Sequence, residues 1–140
     1  MKTHGAFQTS LRVHGLRVTP GRVALLEVLG KSGKPMGVED IVKKLKGVLD
    51  KVNVYRALHA LVTIGLVKKI DLQYSYTHYE IVNDSHHHHH VVCEKCGTIE
   101  DIENCDTQRI EADALKKSKR FNSIKTHALE FFGTCNRCAI

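Results

Sequence analysis

The stretch His86-His87-His88-His89-His90-Val91-Val92-Cys93-Glu94-Lys95-Cys96-Gly97 decides how the rest of the chain is read. Side chains of a β-strand alternate between its two faces, so a strand that leads into Val91 and Val92 sends His86, His88 and His90 one way. His87 and His89 go the other way, and Cys93 and Cys96 close a turn beyond them. One ribbon can thus feed two metal positions and begin a third. A purification tag is the plain alternative for five histidines in a row, but tags sit at termini and this run is internal.

Working outward, a second Cys-x-x-Cys, Cys135 and Cys138, lies 38 residues after the first. Paired knuckles of this kind supply four thiolates to one tetrahedral zinc, a closed structural site with no open position for a substrate. Cys105 is the fifth cysteine and is read as a small, partly buried apolar residue. The histidines differ from the thiolates, since imidazole with carboxylate suits Fe, Mn, Ni or Zn alike. His88 and His90, joined by Glu80 and Asp101, would make a mixed nitrogen and oxygen site. His87 and His89 could join His127 and a helix carboxylate, for which Glu111 is the candidate, on the opposite face.

Charge divides the chain. Residues 1–83 hold 13 Lys and Arg against 6 Asp and Glu, a balance of +7, whereas residues 84–140 hold 8 against 9, a balance of −1. A basic first part beside a near-neutral second suggests a polyanion partner for the first alone. No apolar run approaches the roughly 20 residues that span a bilayer, and no signal-peptide core opens the chain, so a cytoplasmic protein without membrane association is expected.

The basic part reads as helices followed by a hairpin. A short helix over 7–14 stops at Gly15. Thr19-Pro20 starts a second, over 20–30, with Val23, Leu25, Leu26 and Leu29 on its apolar side. Val38, Ile41, Val42 and Leu45 follow the i, i+3, i+4, i+7 spacing of a third helix. Asp50 caps a fourth, whose inner face is Val54, Leu58, Leu61 and Val62 and whose outer face shows Asn53, Tyr55, Arg56 and His59. Strands over 66–70 and 75–82 flank a turn at 71–74. This order predicts a winged helix-turn-helix over 1–83, with the fourth helix in the major groove of duplex DNA. Asn53, Tyr55 and Arg56 would meet base edges or phosphates, and Arg17, Arg22, Lys68 and Lys69 phosphates. The second part, 84–140, reads β-β-α-β: the histidine strand, a return over 98–102, a helix capped by Thr107, and a last strand over 124–132. The class is therefore α+β. The second part is small, so a structural metal and dimerisation would compensate for its thin core.

Four motifs together resemble the ferric uptake regulator (Fur) family of metal-dependent repressors. They are His-His-His-x-His-x-x-Cys-x-x-Cys-Gly at 86–97, Val-Tyr-Arg at 54–56, Val-Thr-Pro-x-Arg at 18–22, and His-x-Leu-Glu-x-x-Gly-x-Cys-x-x-Cys at 127–138. The resemblance implies a homodimer that binds AT-rich palindromic operators when loaded with metal. It also implies a DNA-binding domain over 1–83 and a metal-binding dimerisation domain over 84–140. Structural zinc would fall on Cys93, Cys96, Cys135 and Cys138; the sensed ion, iron(II) first and zinc or manganese as alternatives, on Glu80, His88 and His90, with Asp101 at a position that can ligate; a further ion on His87, His89, Glu111 and His127. The chain departs from the family where a regulatory histidine is often found near the third helix, since Lys34-Pro35-Met36-Gly37 holds none; Glu80 or His78 could substitute. His89 stands where several members have Asp, and Asn53 where Thr is usual. Peroxide sensing by iron at His88, His90 and Asp101 is the alternative within the family. A zinc hydrolase is the rival from another class, but no His-Glu-x-x-His is present, and neither catalysis nor a small-molecule substrate is expected.

Overall fold

Thr3 starts the first helix, its hydroxyl accepting from the Ala6 amide. The computed structural model of the chain describes residues 2–71, 77–82 and 88–140. It divides into two compact units, Met1–Asn83 and Asp84–Ile140. His86, His87 and most of the expected 71–74 turn lie outside the described residues.

In the first unit, α1 spans His4–Val13 and buries Phe7 and Leu11. It begins three residues before the expected start, because the Thr3 cap serves amides that an apolar pattern does not report. Helix α2 spans Pro20–Ser32, with the Thr19 hydroxyl accepting from the Arg22 amide at 3.3 Å and Pro20 at the first position. It runs two residues past Gly30, the expected end. Gly33 takes the left-handed C-cap, at φ +63°, whereas Gly30 stays helical and packs against Phe7, whose Cζ would lie 3.2 Å from a Cβ there. Helix α3, Val38–Lys44, buries Val38 and Ile41, and Leu45 follows them inward. Helix α4, Lys51–Thr63, is capped by Asp50, whose carboxylate accepts from the Asn53 amide at 2.8 Å, and it closes before Gly65 at φ +79°.

Between these helices runs a three-stranded sheet in the order β1-β3-β2, comprising Met36–Gly37, His78–Ile81 and Val67–Ile70. Strand β1 was not expected: two residues carry no periodicity, and only its pairing of Met36 with Tyr79 and Gly37 with His78 defines it. Leu11, Leu25, Leu26, Ile41, Leu58 and Leu61, all at most 1% exposed, sit at the centre of the core that α1 to α4 form on this sheet. Helices followed by a small antiparallel sheet make a winged helix-turn-helix.

The second unit is a sheet in the order β5-β4-β6, with β4 His88–Cys93, β5 Ile99–Glu103 and β6 Glu130–Gly133. β5 is antiparallel to β4 and β6 parallel to it. Helix α5, Thr107–Lys117, connects β5 to β6. Its cap is Asp106, accepting from the Arg109 amide at 3.1 Å, and not Thr107, which is the first helical residue. β6 is also shorter than expected: its ladder on β4 begins at the pair His90 and Glu130, and residues 124–129 precede it without strand pairing. The two units differ sharply in core. Among the described residues, seventeen of the nineteen buried hydrophobic ones belong to the first, and Val92 and Cys93 to the second. Helix α5 buries no residue, and Ile110, Phe121, Ile124 and Phe131 are exposed. The class is α+β, as the sequence predicts.

Candidate metal centres and nucleic-acid interface

The turn after β4 and the knuckle after β6 bring four sulfurs together because β4 and β6 run side by side. The pair Cys93 and Gly133 ends that ladder. The Cys135 amide then donates to Cys93 Sγ at 3.3 Å, and Cys96 Sγ lies 3.6 Å from Cys135 Sγ. All four Sγ atoms, those of Cys93, Cys96, Cys135 and Cys138, lie within 4.8 Å of one another. Zinc bonded to sulfur at ~2.3 Å in a tetrahedron requires sulfurs about 3.8 Å apart, so four sulfurs within 4.8 Å of one another suit zinc. Its electrostatics point the same way. Amide hydrogen bonds from Cys135, Cys96 and Lys95 pull the Cys93 thiol down to about 6, and the Thr98 hydroxyl and amide lower Cys96. Sulfurs this close cannot all ionise unaided, and Cys138, hydrogen-bonded to Cys135 and Cys96, is pushed up to about 12. A divalent cation resolves that conflict by replacing the held proton. All five cysteines are free of disulfides.

Upstream in β4 the alternation predicted for the histidines is present. The His88 and His90 rings meet edge to face at 5.1 Å, while His89 turns to the other side and reaches His127, with ring centroids 5.1 Å apart. On the first face, β5 places Asp101 opposite His90, and the His90 Nε2 lies 3.6 Å from the Asp101 Oδ1. Ligand atoms of His88, His90 and Asp101 lie within 4.8 Å of one another. A nitrogen and oxygen set at this spacing is right for a first-row divalent ion. Behind His90, on its Nδ1 side, is Glu130, with Oε2 at 2.9 Å. Glu130 belonged to a motif quoted from the sequence but received no role there. Its i, i+3 spacing after His127 and the register of β6 on β4 are the signals that could have found it.

On the second face, His89 Nε2 and His127 Nε2 are 2.9 Å apart, and Glu111 Oε1 lies 2.6 Å from His127 Nδ1. Two imidazole nitrogens on one ion at ~2.1 Å stand about 3.0 Å apart at a right angle and about 3.4 Å apart in a tetrahedron, so this pair is near the right-angle spacing. Glu80 lies on β3 of the first unit. It is buried, paired across the ladder with Lys68, whose Nζ is 3.3 Å from its Oε2.

The outer face of α4 carries the candidate nucleic-acid contacts. Val54, Ala57, Leu58 and Leu61 are buried, which leaves Asn53, Tyr55, Arg56 and His59 on the exposed side. Tyr55 is 46% exposed. Asn53 also donates from Nδ2 to Asp50 at 3.0 Å, which fixes its side chain at the helix start. Arg17 is exposed, and its backbone carbonyl accepts from Arg22 Nη1 at 2.7 Å, which holds the Arg22 side chain against the segment before α2. Lys69 is exposed; Lys68 is engaged with Glu80.

Comparison with known proteins adds the relationship. The model of the ferric uptake regulator family matches residues 13–132. The chain is 30% identical to ferric uptake regulation protein 2 of Mycolicibacterium fortuitum, over all of this chain and 97% of that one. It is also 30% identical to the peroxide operon regulator of Bacillus subtilis, over 93% and 89%. Among solved structures, the Helicobacter pylori ferric uptake regulator superposes with a TM-score of 0.80 at 22% identity, covering 99% of this chain and 95% of that one. The Francisella tularensis ferric uptake regulator, described with iron, gives 0.73 at 27% identity over 90% and 96%. Winged helix, histidine strand and four-thiol site thus meet in one chain, and this chain belongs to the ferric uptake regulator family.

Proposed function

We propose that the protein represses transcription as a homodimer that binds palindromic operator DNA when a regulatory divalent ion is bound. The observation that carries this reading is the histidine strand, in which one face gathers His88, His90 and Asp101 beside a separate four-thiol site. The four thiols fit structural zinc. The regulatory ion, iron(II) in the first instance and zinc or manganese as alternatives, would be held by His88, His90 and Asp101, with Glu80 contributed by the first unit. His87, His89, His127 and Glu111 would hold an additional ion. Asn53, Tyr55, Arg56, Arg17, Arg22, Lys68 and Lys69 would face DNA. Dimerisation through residues 84–140 is supported by the exposed Ile110, Phe121, Ile124 and Phe131 and by a helix α5 that buries nothing within its own unit.

Control works through differential affinity. An ion that bridges Glu80 to the histidine strand favours one arrangement of the DNA-binding domains, so DNA that fits this arrangement binds more tightly. The test uses zinc-loaded protein and a duplex enriched by it, with manganese present, from a randomised palindromic pool. Anisotropy with and without manganese should differ by about 5–150-fold, the usual range of such coupling. Equal affinity in both conditions would overturn the reading. The similarity to the peroxide operon regulator of Bacillus subtilis favours a second reading, in which iron at His88, His90 and Asp101 reports peroxide. Mass spectrometry of iron-loaded protein after peroxide then finds an oxidised histidine; an unmodified chain rejects it.

A further inference from the structure

We propose that Glu130 is the positioning carboxylate of the His88 and His90 face: it holds His90 with its proton on Nδ1 and its Nε2 lone pair turned to the ion. The proposal rests on reading that face as the regulatory metal site.

Glu130 Oε2 accepts twice from one residue, from the His90 amide at 3.3 Å and from His90 Nδ1 at 2.9 Å. The approach is not incidental, because the β4 and β6 ladder pairs His90 directly with Glu130. His90 is 1% exposed, so water does not choose its tautomer. A neutral imidazole has a single N–H, and a carboxylate at hydrogen-bonding distance from Nδ1 keeps it there. Nε2 is then the unprotonated nitrogen, and it is the one on the Asp101 side, 3.6 Å from Oδ1. Metal-ligating histidines commonly donate their other nitrogen to a carboxylate, which orients the ring and raises its basicity. The two ring nitrogens face away from each other, so a carboxylate seated at Nδ1 stands behind the ring and not beside the ion.

The experiment uses full-length, zinc-loaded protein carrying His127→Ala, so that the second face is silent, and cobalt(II) as the probe. Glu130→Leu removes the acceptor; Glu130→Gln keeps one without the charge. Cobalt affinity should fall about 10–100-fold in Glu130→Leu and recover in part in Glu130→Gln. Zinc content reports that both variants fold. Nitrogen-15 NMR of the ion-free site should show His90 as the Nδ1–H tautomer with Glu130 present, and a tautomer mixture in Glu130→Leu. Unchanged cobalt affinity in Glu130→Leu overturns the proposal. So does a loss in Glu130→Gln as large as in Glu130→Leu, which would make Glu130 a ligand. Failure of the Glu130-containing protein to take any cobalt beyond its zinc site would instead reject the metal site itself, and no variant would then differ from another.

Discussion

Replacing Cys135 by Ser should dismantle the second unit and leave the first folded. Among the described residues the first unit has seventeen buried hydrophobic side chains, whereas the second has Val92 and the thiol Cys93. At ~1.5–3 kcal/mol for a fully buried aliphatic side chain, Val92 contributes about that much. A structural zinc in a small domain contributes ~10–16 kcal/mol, so an ion on the four thiols would be the larger stabilising factor in residues 84–140. Cys135→Ser removes one of the four sulfurs, which lies 3.6 Å from Cys96 Sγ, and keeps the Cys135 amide that donates to Cys93 Sγ. Amide hydrogen exchange read by mass spectrometry, with zinc content measured in parallel, is the assay. In Cys135→Ser, β4, β5 and β6 should exchange within seconds while α2 and α4 keep their protection. Protection of β4 retained in zinc-free protein would refute the reasoning, because packing alone would then hold the sheet.

Other outcomes follow from the same contacts. The Cys93 thiol is depressed to about 6 from an ordinary value near 9. A thiol depressed in this way is already ionised at neutral pH, and protons must outcompete the ion to displace it, so zinc should be retained at neutral pH and released only as pH falls well below 6. Loss of zinc between pH 7 and 6, followed with a chromogenic chelator, would contradict this. Leu58→Ala empties a site that is 1% exposed and should cost about 2–5 kcal/mol in urea unfolding of the first unit, without loss of zinc. Asp50→Ala removes the cap of α4 and should cost about 1 kcal/mol by the same measurement. Arg56→Glu reverses an exposed charge on α4 and should abolish operator binding in anisotropy while both metal loadings stay normal.

The sequence is most legible where one period governs many residues. Alternation alone separates His88 and His90 from His89, because strand parity needs no knowledge of what packs on either face. Apolar spacing and capping residues likewise locate α2, α3 and α4. Choices between equivalent residues are not legible. Gly30 and Gly33 can both end α2, and the left-handed backbone of Gly33 shows that it does so, while Gly30 stays helical against Phe7. Asp106 and Thr107 are both cap formers, and the hydrogen bond to the Arg109 amide selects Asp106. Strand β1 has two residues and exists by pairing with β3, about 40 positions away. Glu130 is hidden for the same reason: its meaning comes from lying opposite His90 across a parallel ladder, a register that no local pattern encodes.

Coupling between the regulatory ion and DNA is reciprocal by thermodynamic necessity, whatever path carries it. Calorimetric titration of manganese into zinc-loaded protein, alone and saturated with its operator duplex, therefore tests the central claim most directly. The account predicts tighter manganese binding on DNA, by the same factor by which manganese tightens the operator, and loss of that gain in His90→Ala. Identical manganese affinity with and without DNA would contradict it.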